Sequence, residues 1–279
     1  MEKIGIVTDS SCDLDDEIAT KYGIHILPLI IAYRNKTYRD RIEIKPQEVY
    51  DSLEKEIPKT SMPLMDDAKK LFDKLKMEGY THVIAITISS ALSGTYGMLN
   101  TVSKEYDMNV KVIDSKSLSM GLGFIVYEVA KAIKDGKSFE DACRIAKNVK
   151  DKIRVFFTLK TLKYLKMGGR IGKVEANMGD LLNVKPIISV DGDGFLYSYA
   201  KVLGWRRAID KMFDIFLKES QGKKVNVAVM NGGDEEEARE FAMKVKSSGN
   251  VDELFMGQIS PVLVVHTGPG LVGIGFYQS

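Results

Sequence analysis

Four hydroxyl side chains lie close together in one short stretch of the chain. Ser89, Ser90, Ser93 and Thr95 surround Gly94. A helix-compatible run follows them, so hydroxyls and backbone N–H groups should converge at a helix N-terminus, where the helix dipole favours an anion. Capping a helix takes a single hydroxyl, and four are present here. We therefore favour an anion-binding role for this stretch over a purely capping one.

The elements on either side of these hydroxyls are predicted by their composition. Residues 82–88 are mostly β-branched or small and apolar, and the run is too short for a helix, which is typical of a buried parallel strand. Residues 98–106 are compatible with a helix. Open α/β sheets bind ligands at the carboxyl ends of their strands, so the position of the hydroxyls also indicates a binding site.

Two further loops carry hydroxyls. Residues 3–8 predict the first strand, and the Asp-Ser-Ser sequence of residues 9–11 follows it directly. Prolines stand at both ends of residues 58–63 and restrict the backbone around Thr60 and Ser61. This pattern predicts a short rigid loop.

His266 is the histidine best placed for chemistry. We place it at the end of an apolar strand, before a tight glycine turn at residues 268–270. A histidine in that position is as well suited to binding a ligand as to lying in the core with its hydrogen bonds satisfied. His25 and His82 begin strands and are predicted to be structural. Because no carboxylate or thiol stands at ligand spacing from the histidines, we predict no metal site.

Residues 168–172, Gly-Gly-Arg-Ile-Gly, form a glycine-rich loop that we expect to open a helix ending at Leu182. The loop matches neither the Walker pattern nor the dinucleotide-binding fingerprint. Arg170 within it is a candidate cation at a site mouth or a domain interface, and a solvated loop arginine is the equal alternative.

A serine hydrolase is the alternative function that these residues suggest. Ser93 would be the nucleophile, His266 the base and Asp9 the group that orients the base. The G-x-S-x-G motif, however, needs glycine at the positions of Ala91 and Thr95. Hydroxyls without an activating neighbour bind an anion better than they attack an ester, so we favour a binding protein without catalytic residues.

Composition excludes several other classes of protein. The net charge of +2 comes from 40 basic and 38 acidic residues without a basic block, so a nucleic-acid partner is not expected. Cys12 and Cys143 lack metal-ligand spacing and indicate a protein without structural disulfides, which predicts a cytoplasmic location. No signal peptide is visible, and apolar runs such as residues 26–33 are far shorter than the ~20 residues of a transmembrane helix, so no stable membrane insertion is expected.

The order of elements predicts two domains. Strands and helices alternate through residues 1–152, which predicts a Rossmann-like, mostly parallel sheet with helices on both faces. Residues 153–279 predict an α+β domain with a mixed sheet, including strands near Leu254 and Leu263. Residues 191–194, Asp-Gly-Asp-Gly, predict a hairpin turn between two of its strands.

Taken in order, these motifs resemble the DegV family of bacterial fatty-acid-binding proteins. The resemblance covers essentially the whole chain. Its blocks are residues 9–10, 59–63, 89–96, 165–171 with 182–186, and 266–270.

The resemblance implies a two-domain α/β protein that holds one long-chain fatty acid, such as palmitate, between its domains. Some members act as the FakB subunit, which presents the acid to an ATP-dependent fatty acid kinase, so a kinase catalytic subunit is an implied partner and no cofactor is implied. The carboxylate ligands would be Thr60, Ser93 and His266. The surrounding residues would be Ser61, Thr95, Thr267 and Gly268.

The chain departs from the family at one position. The family usually has arginine where this chain has Leu203, within Lys201-Val-Leu-Gly204. Arg206 and Arg207 lie close by and can supply positive charge. Together with Arg170, they are our candidates for residues at the site mouth or facing a partner.

Overall fold

The structure is a computed structural model, which describes residues 2–174 and 183–279. The strands are β1 Ile4–Asp9, β2 Ile24–Leu27, β3 Ile30–Ala32, β4 Thr37–Arg39, β5 Lys59–Ser61, β6 His82–Thr87, β7 Asn109–Asp114, β8 Arg154–Leu159, β9 Val184–Val190, β10 Leu196–Leu203, β11 Val225–Asn231, β12 Val251–Gln258 and β13 Leu271–Gln278. The α-helices are α1 Asp16–Tyr22, α2 Pro46–Ser52, α3 Met65–Met77, α4 Thr95–Ser103, α5 Met120–Lys134, α6 Phe139–Lys152, α7 Lys163–Met167, α8 Trp205–Ser220, α9 Glu235–Lys246 and α10 Pro261–Thr267. Ser10–Cys12 forms a 3-10 helix. The helix expected to end at Leu182 lies outside the described residues.

The first sheet is parallel and has the strand order β2-β1-β6-β7. The run that we predicted to be a buried strand is β6, and five of its six residues are buried. Because all four strands point the same way, the loops after β1 and β6 meet at one edge. The prediction of a Rossmann-like parallel sheet is confirmed.

The second sheet is mixed, with the strand order β10-β9-β8-β13-β11-β12. The pair β11 and β12 is parallel, and the other neighbours are antiparallel. The predicted hairpin joins β9 to β10, and Asp191 stabilises its turn by accepting hydrogen bonds from the N–H groups of Asp193 and Phe195. The prediction of a mixed C-terminal sheet is therefore also confirmed.

A third, small sheet was not predicted. Its order is β4-β3-β5, and Thr60 in β5 pairs with Ile31 in β3. The segment between the two prolines is thus a three-residue strand and not only a rigid loop. The apolar stretch of residues 24–33 contains two strands, because β2 belongs to the parallel sheet and β3 to this one.

Helices α5 and α6 lie between the two large sheets and contact strands of both. Helices α3 and α4 pack on the outer side of the first sheet, and α8 and α9 on the outer side of the second. One hydrophobic core accordingly contains residues from both halves. We still propose the division into residues 1–152 and 153–279, because α6 ends where the second sheet begins.

One predicted element has the wrong type. The segment near Leu263 is the helix α10, so His266 lies in the last turn of a helix and does not end a strand. A short apolar run is compatible with either a buried strand or a buried helix. Pro261 at the first helical position favours the helix, because its fixed φ angle suits that position and it has no N–H group to satisfy.

Within the two described ranges, the helices are all too short or too polar to cross a membrane.

Candidate functional site

Side chains from four separate elements line one cavity between the two halves. Thr60 comes from β5, Ser93 from the loop before α4, Arg170 from the loop after α7 and His266 from α10. The space between them is about 570 Å³, part of it open to solvent. Three more of its polar lining residues are Ser11, Ser61 and Thr267. The three residues predicted to hold a carboxylate therefore do meet in space.

A hydrogen bond between Thr60 and His266 joins the two halves at this cavity. Thr60 Oγ1 lies 2.7 Å from His266 Nε2. The pairing of β5 with β3 holds Thr60 in place, and the last turn of α10 carries His266. The contact links residues 206 positions apart in the sequence.

Ser93 stands at the start of α4. Its Oγ lies 2.8 Å from the hydroxyl of Thr95, which is the first residue of the helix and is fully buried. The N-terminal end of α4, where the helix dipole is positive, therefore lies beside the cavity. Of the other two hydroxyls in this stretch, Ser89 donates to the Gly194 carbonyl in the hairpin at 2.9 Å, and Ser90 is exposed. Only half of the four hydroxyls thus belong to the site.

His266 is neutral at physiological pH. Burial, with a smaller contribution from the positive charge of Arg170, lowers its pKa from 6.5 to about 4. Its Nδ1 atom is buried and has no hydrogen-bond partner in the described part of the chain. Gly168 packs against this side of the ring, since a Cβ atom placed there would lie 2.1 Å from Nδ1. Only glycine at this position leaves room for the imidazole.

Arg170 lines the cavity and is held by two backbone carbonyls. Its Nε donates to Leu92 at 3.2 Å, and its Nη1 donates to Gly168 at 2.8 Å. Within residues 2–174 and 183–279, no carboxylate pairs with this guanidinium. Its charge is therefore available to a bound anion.

The remaining predicted residues have different positions. Thr267 donates to the Leu263 carbonyl at 3.0 Å, and Gly268 ends α10 with a φ angle of 65°. Arg206 and Arg207 are exposed at the start of α8, where Arg206 lies 3.8 Å from Glu240. Neither arginine is among the described residues that line the cavity. Their role at the site mouth stays a prediction.

The hydrogen bonds do not assemble a hydrolase triad. Asp9 is buried and accepts hydrogen bonds from Ser11 and from the Ile88 N–H at 2.7 Å, so it does not orient His266. His266 bonds to Thr60 and not to Ser93. The described residues also contain no group of three or more His, Cys, Asp or Glu side chains that could hold a metal ion.

The polar cavity lies beside an apolar one. Leu118, Phe157, Leu263 and Thr267 line both. The space in this second cavity is about 460 Å³, part of it open to solvent, and it lies against the start of α5 and the second sheet. Its further lining includes Gly121, Val155, Leu271 and Ile274. Sequence reasoning did not find this lining, because a side chain facing a cavity has the same apolar character as one in solid core.

Two carboxylates hold the beginning of α10, the buried Asp40 and the partly buried Asp13. Asp13 accepts from the Ser260 N–H and Asp40 from the Val262 N–H, each at 2.9 Å. Burial raises the pKa of Asp13 to about 6 and that of Asp40 to about 7. Both acids belong to the first half of the chain, so the helix that carries His266 is anchored to the opposite half.

Known proteins match this chain over essentially its whole length. A model of the DegV family matches residues 3–279. A DegV domain-containing protein of Clostridium acetobutylicum is 44% identical over 280 residues, covering 100% of this chain and 100% of that protein. The solved structure of a fatty-acid-binding DegV family protein from Thermus thermophilus has a TM-score of 0.94 at 29% identity, covering 99% of this chain and 100% of that one. A stearic-acid-binding protein from Eubacterium ventriosum has a TM-score of 0.88 at 31% identity, covering 99% of this chain and 98% of that one.

The raised pKa of Asp40 predicts how stability depends on pH. An Asp whose pKa is about 7 when folded and 3.8 when unfolded binds its proton more tightly in the folded state, so the free energy of unfolding falls as the pH rises from about 4 to 7. Asp40→Asn keeps the acceptor for the Val262 N–H and removes the buried charge. We expect this variant to gain about 1–3 kcal/mol of stability at pH 8 and to lose part of the pH dependence.

Thermal unfolding of wild type and Asp40→Asn between pH 5 and 8 measures this effect. The matched control is Asp107→Asn, which changes an exposed Asp and should leave the curve unchanged. A variant that is less stable than wild type at pH 8 would show that the ionised carboxylate stabilises α10.

The packing of Gly168 against His266 gives a second prediction. In Gly168→Ala the new Cβ would displace the imidazole toward solvent, so the pKa of His266 should rise from about 4 toward its ordinary value near 6.5. Proton NMR of the three histidine rings follows this titration, with His266→Gln identifying the resonance. Gly192→Ala is the control, because its Cβ would meet nothing within 4 Å. An unchanged titration in Gly168→Ala would mean that the ring is not held against this glycine.

Proposed function

The chain belongs to the DegV family, and we propose that it binds one long-chain fatty acid between its two halves. The observation that carries this proposal is that the polar and apolar cavities adjoin each other and share the lining residues Leu118, Phe157, Leu263 and Thr267. One end of this space offers hydroxyls and a histidine, and the other offers almost only apolar atoms. A fatty acid has the same division between its carboxylate and its tail.

We propose that Thr60, Ser93 and His266 bind the carboxylate. The hydroxyls of Thr60 and Ser93 are neutral donors, and each charge-assisted hydrogen bond that they form contributes about 1.5–3 kcal/mol. His266 can donate from Nε2, the nitrogen that faces Thr60. This tautomer leaves Nδ1 as an unpaired acceptor, which costs less than burying an unpaired N–H. Ser61, Thr95, Thr267 and Gly268 surround these three residues, and the charge of Arg170 favours the anion.

The acyl tail would lie in the apolar cavity. Each buried methylene contributes about 0.8 kcal/mol, so a sixteen-carbon chain gains roughly 10 kcal/mol before the cost of association. The tail therefore supplies most of the affinity, and the polar residues decide which end of the ligand lies at the mouth.

We also propose that this protein is a fatty-acid carrier that engages a fatty acid kinase less well than a relative with the family arginine. Leu203 is 55% exposed at the end of β10, so an arginine there would reach solvent and a partner. Arg206 does not simply replace it, because it lies on α8 beyond Gly204 and its guanidinium is near Glu240.

Removal of either head-group hydroxyl should weaken binding of the fatty acid. We expect Thr60→Val and Ser93→Ala each to weaken binding by about 1–3 kcal/mol, because each removes one donor to the carboxylate without removing core volume. Displacement of a fluorescent fatty acid measures the affinity, and thermal unfolding without ligand checks the fold. Ser90→Ala is the matched control, since this neighbouring hydroxyl does not line the cavity.

Denaturing mass spectrometry of an organic extract tests the proposed ligand directly. A near-stoichiometric fatty acid in the purified protein, or after incubation with one, is the expected result. Its absence in both samples would contradict the proposed function. Hydrolysis of a p-nitrophenyl ester that disappears in Ser93→Ala would instead support a hydrolase.

Restoring the arginine should improve the reaction with a kinase. With a loaded protein, ATP and a fatty acid kinase, we expect Leu203→Arg to form acyl phosphate faster than wild type, by up to the roughly 100-fold that one charge-assisted contact of about 1.5–3 kcal/mol can provide. Leu217→Arg adds the same charge at another exposed leucine and should have no effect. Fast and equal rates in wild type and Leu203→Arg would show that the missing arginine is immaterial.

A further inference from the structure

An open groove lies directly behind the apolar cavity. The groove measures about 930 Å³, and its lining is partly charged, with Asp13, Asp16 and Arg41 among its residues. Thr60, Ser93 and His266, which line the polar cavity, are absent from the lining of the groove. The apolar cavity is therefore flanked by two solvent-exposed spaces, the head-group mouth at one side and this groove at another.

Three buried side chains separate the apolar cavity from the groove. Met120, Met230 and Ile259 line both spaces, and each is at most 5% exposed. We call these three residues the end wall. The wall is one side chain thick, because the same side chains face the cavity on one side and the groove on the other.

The side chain of Met230 extends across this wall. Met230 comes from β11, and its terminal methyl lies 3.1 Å from the position that a Cβ atom on Gly257 would occupy. Gly257 lines the groove and not the apolar cavity. Shortening Met230 would therefore open a passage and would not create a closed void.

Hydrogen bonds at neighbouring positions hold the other two wall residues. Ser119 precedes Met120 and donates to Asp13, and both Ser119 and Asp13 have positive φ angles, of 49° and 52°. Such backbone strain persists only where the surrounding contacts enforce it. The N–H of Ile259 donates at 3.0 Å to the carbonyl of Asn231, which is the residue after Met230. The end wall thus has a defined position.

We propose that Met120, Met230 and Ile259 set the longest acyl chain that the protein binds, and that opening this wall lets longer chains extend into the groove. This inference rests on the proposed function. A closed pocket end and one that borders solvent would respond differently to a smaller wall residue. In a closed core, a smaller wall residue would only move the length limit by a few carbons. In this protein a smaller wall residue would remove the limit on acyl chain length, because the end of the acyl chain would emerge into the solvent-exposed groove.

The test measures binding of saturated fatty acids from twelve to twenty-four carbons to the full chain. For wild type, we expect affinity to rise with chain length and then to fall by about tenfold or more once the chain overpacks against the wall. For Met230→Ala and Met120→Ala, affinity should instead level off and stay within about threefold of its maximum up to the longest acid. Ile259→Val removes a single methyl group, so this variant should fold normally and should only partly reduce the loss of affinity for long acids.

Met98→Ala is the matched control, because Met98 is an equally buried methionine that lines neither the apolar cavity nor the groove. It should keep the length profile of wild type. If all three wall variants still bound the sixteen-carbon acid and showed the wild-type dependence on chain length, the end wall would not set the longest acyl chain. The proposed function would remain intact. Failure of wild type to bind any acid would instead overturn the proposed function.

Discussion

The cavity proposed to bind the fatty acid depends on the position of one seven-residue helix, α10. A helix of this length is unstable by itself in water, so its surroundings must hold it. Both of its ends are held by the first half of the chain: Asp13 and Asp40 bond to N–H groups of its first turn, and Thr60 bonds to His266 in its last turn. Between these ends, its apolar side chains are buried in the core that both halves share. The two halves therefore cannot move apart without disturbing the head-group site.

The charge state of His266 results from two opposing effects. A cation at the C-terminal end of a helix is normally favoured, by about 0.3–1 kcal/mol and at most ~2. Burial and the nearby charge of Arg170 lower the pKa of His266 from 6.5 to about 4, which corresponds to roughly 3 kcal/mol against the charged form. Desolvation thus exceeds the dipole effect, and the imidazole is neutral. A bound carboxylate would receive its favourable electrostatic field from Arg170 and from the N-terminal end of α4.

Much of the fold was predictable because its signals are local. The parallel strand β6 and the hairpin at residues 191–194 follow from composition and turn chemistry. Predictions failed where tertiary contacts decide between local alternatives. The apolar segment that became α10 is equally compatible with a strand, and the carboxylates that bond to its first turn stand more than 200 residues away in the sequence. Thr60, Ser93 and His266 were placed by resemblance, and the structure brings them to one cavity. The importance of Gly168 could not be seen, because it depends on the ring that packs against it.

The arrangement separates affinity from reactivity. If the carboxylate were held by a buried bidentate arginine, the strong charge-assisted pair would stabilise the anion and make it a poorer nucleophile toward a phosphoryl group. In the proposed complex, neutral hydroxyls and a neutral imidazole would hold the head group less strongly, and the buried tail would compensate for this in binding energy. The proposed head-group residues and the end wall line different cavities and share no side chain. On these proposals, substitutions at the end wall would change which acyl chain is bound without changing the chemistry offered to a partner at the mouth.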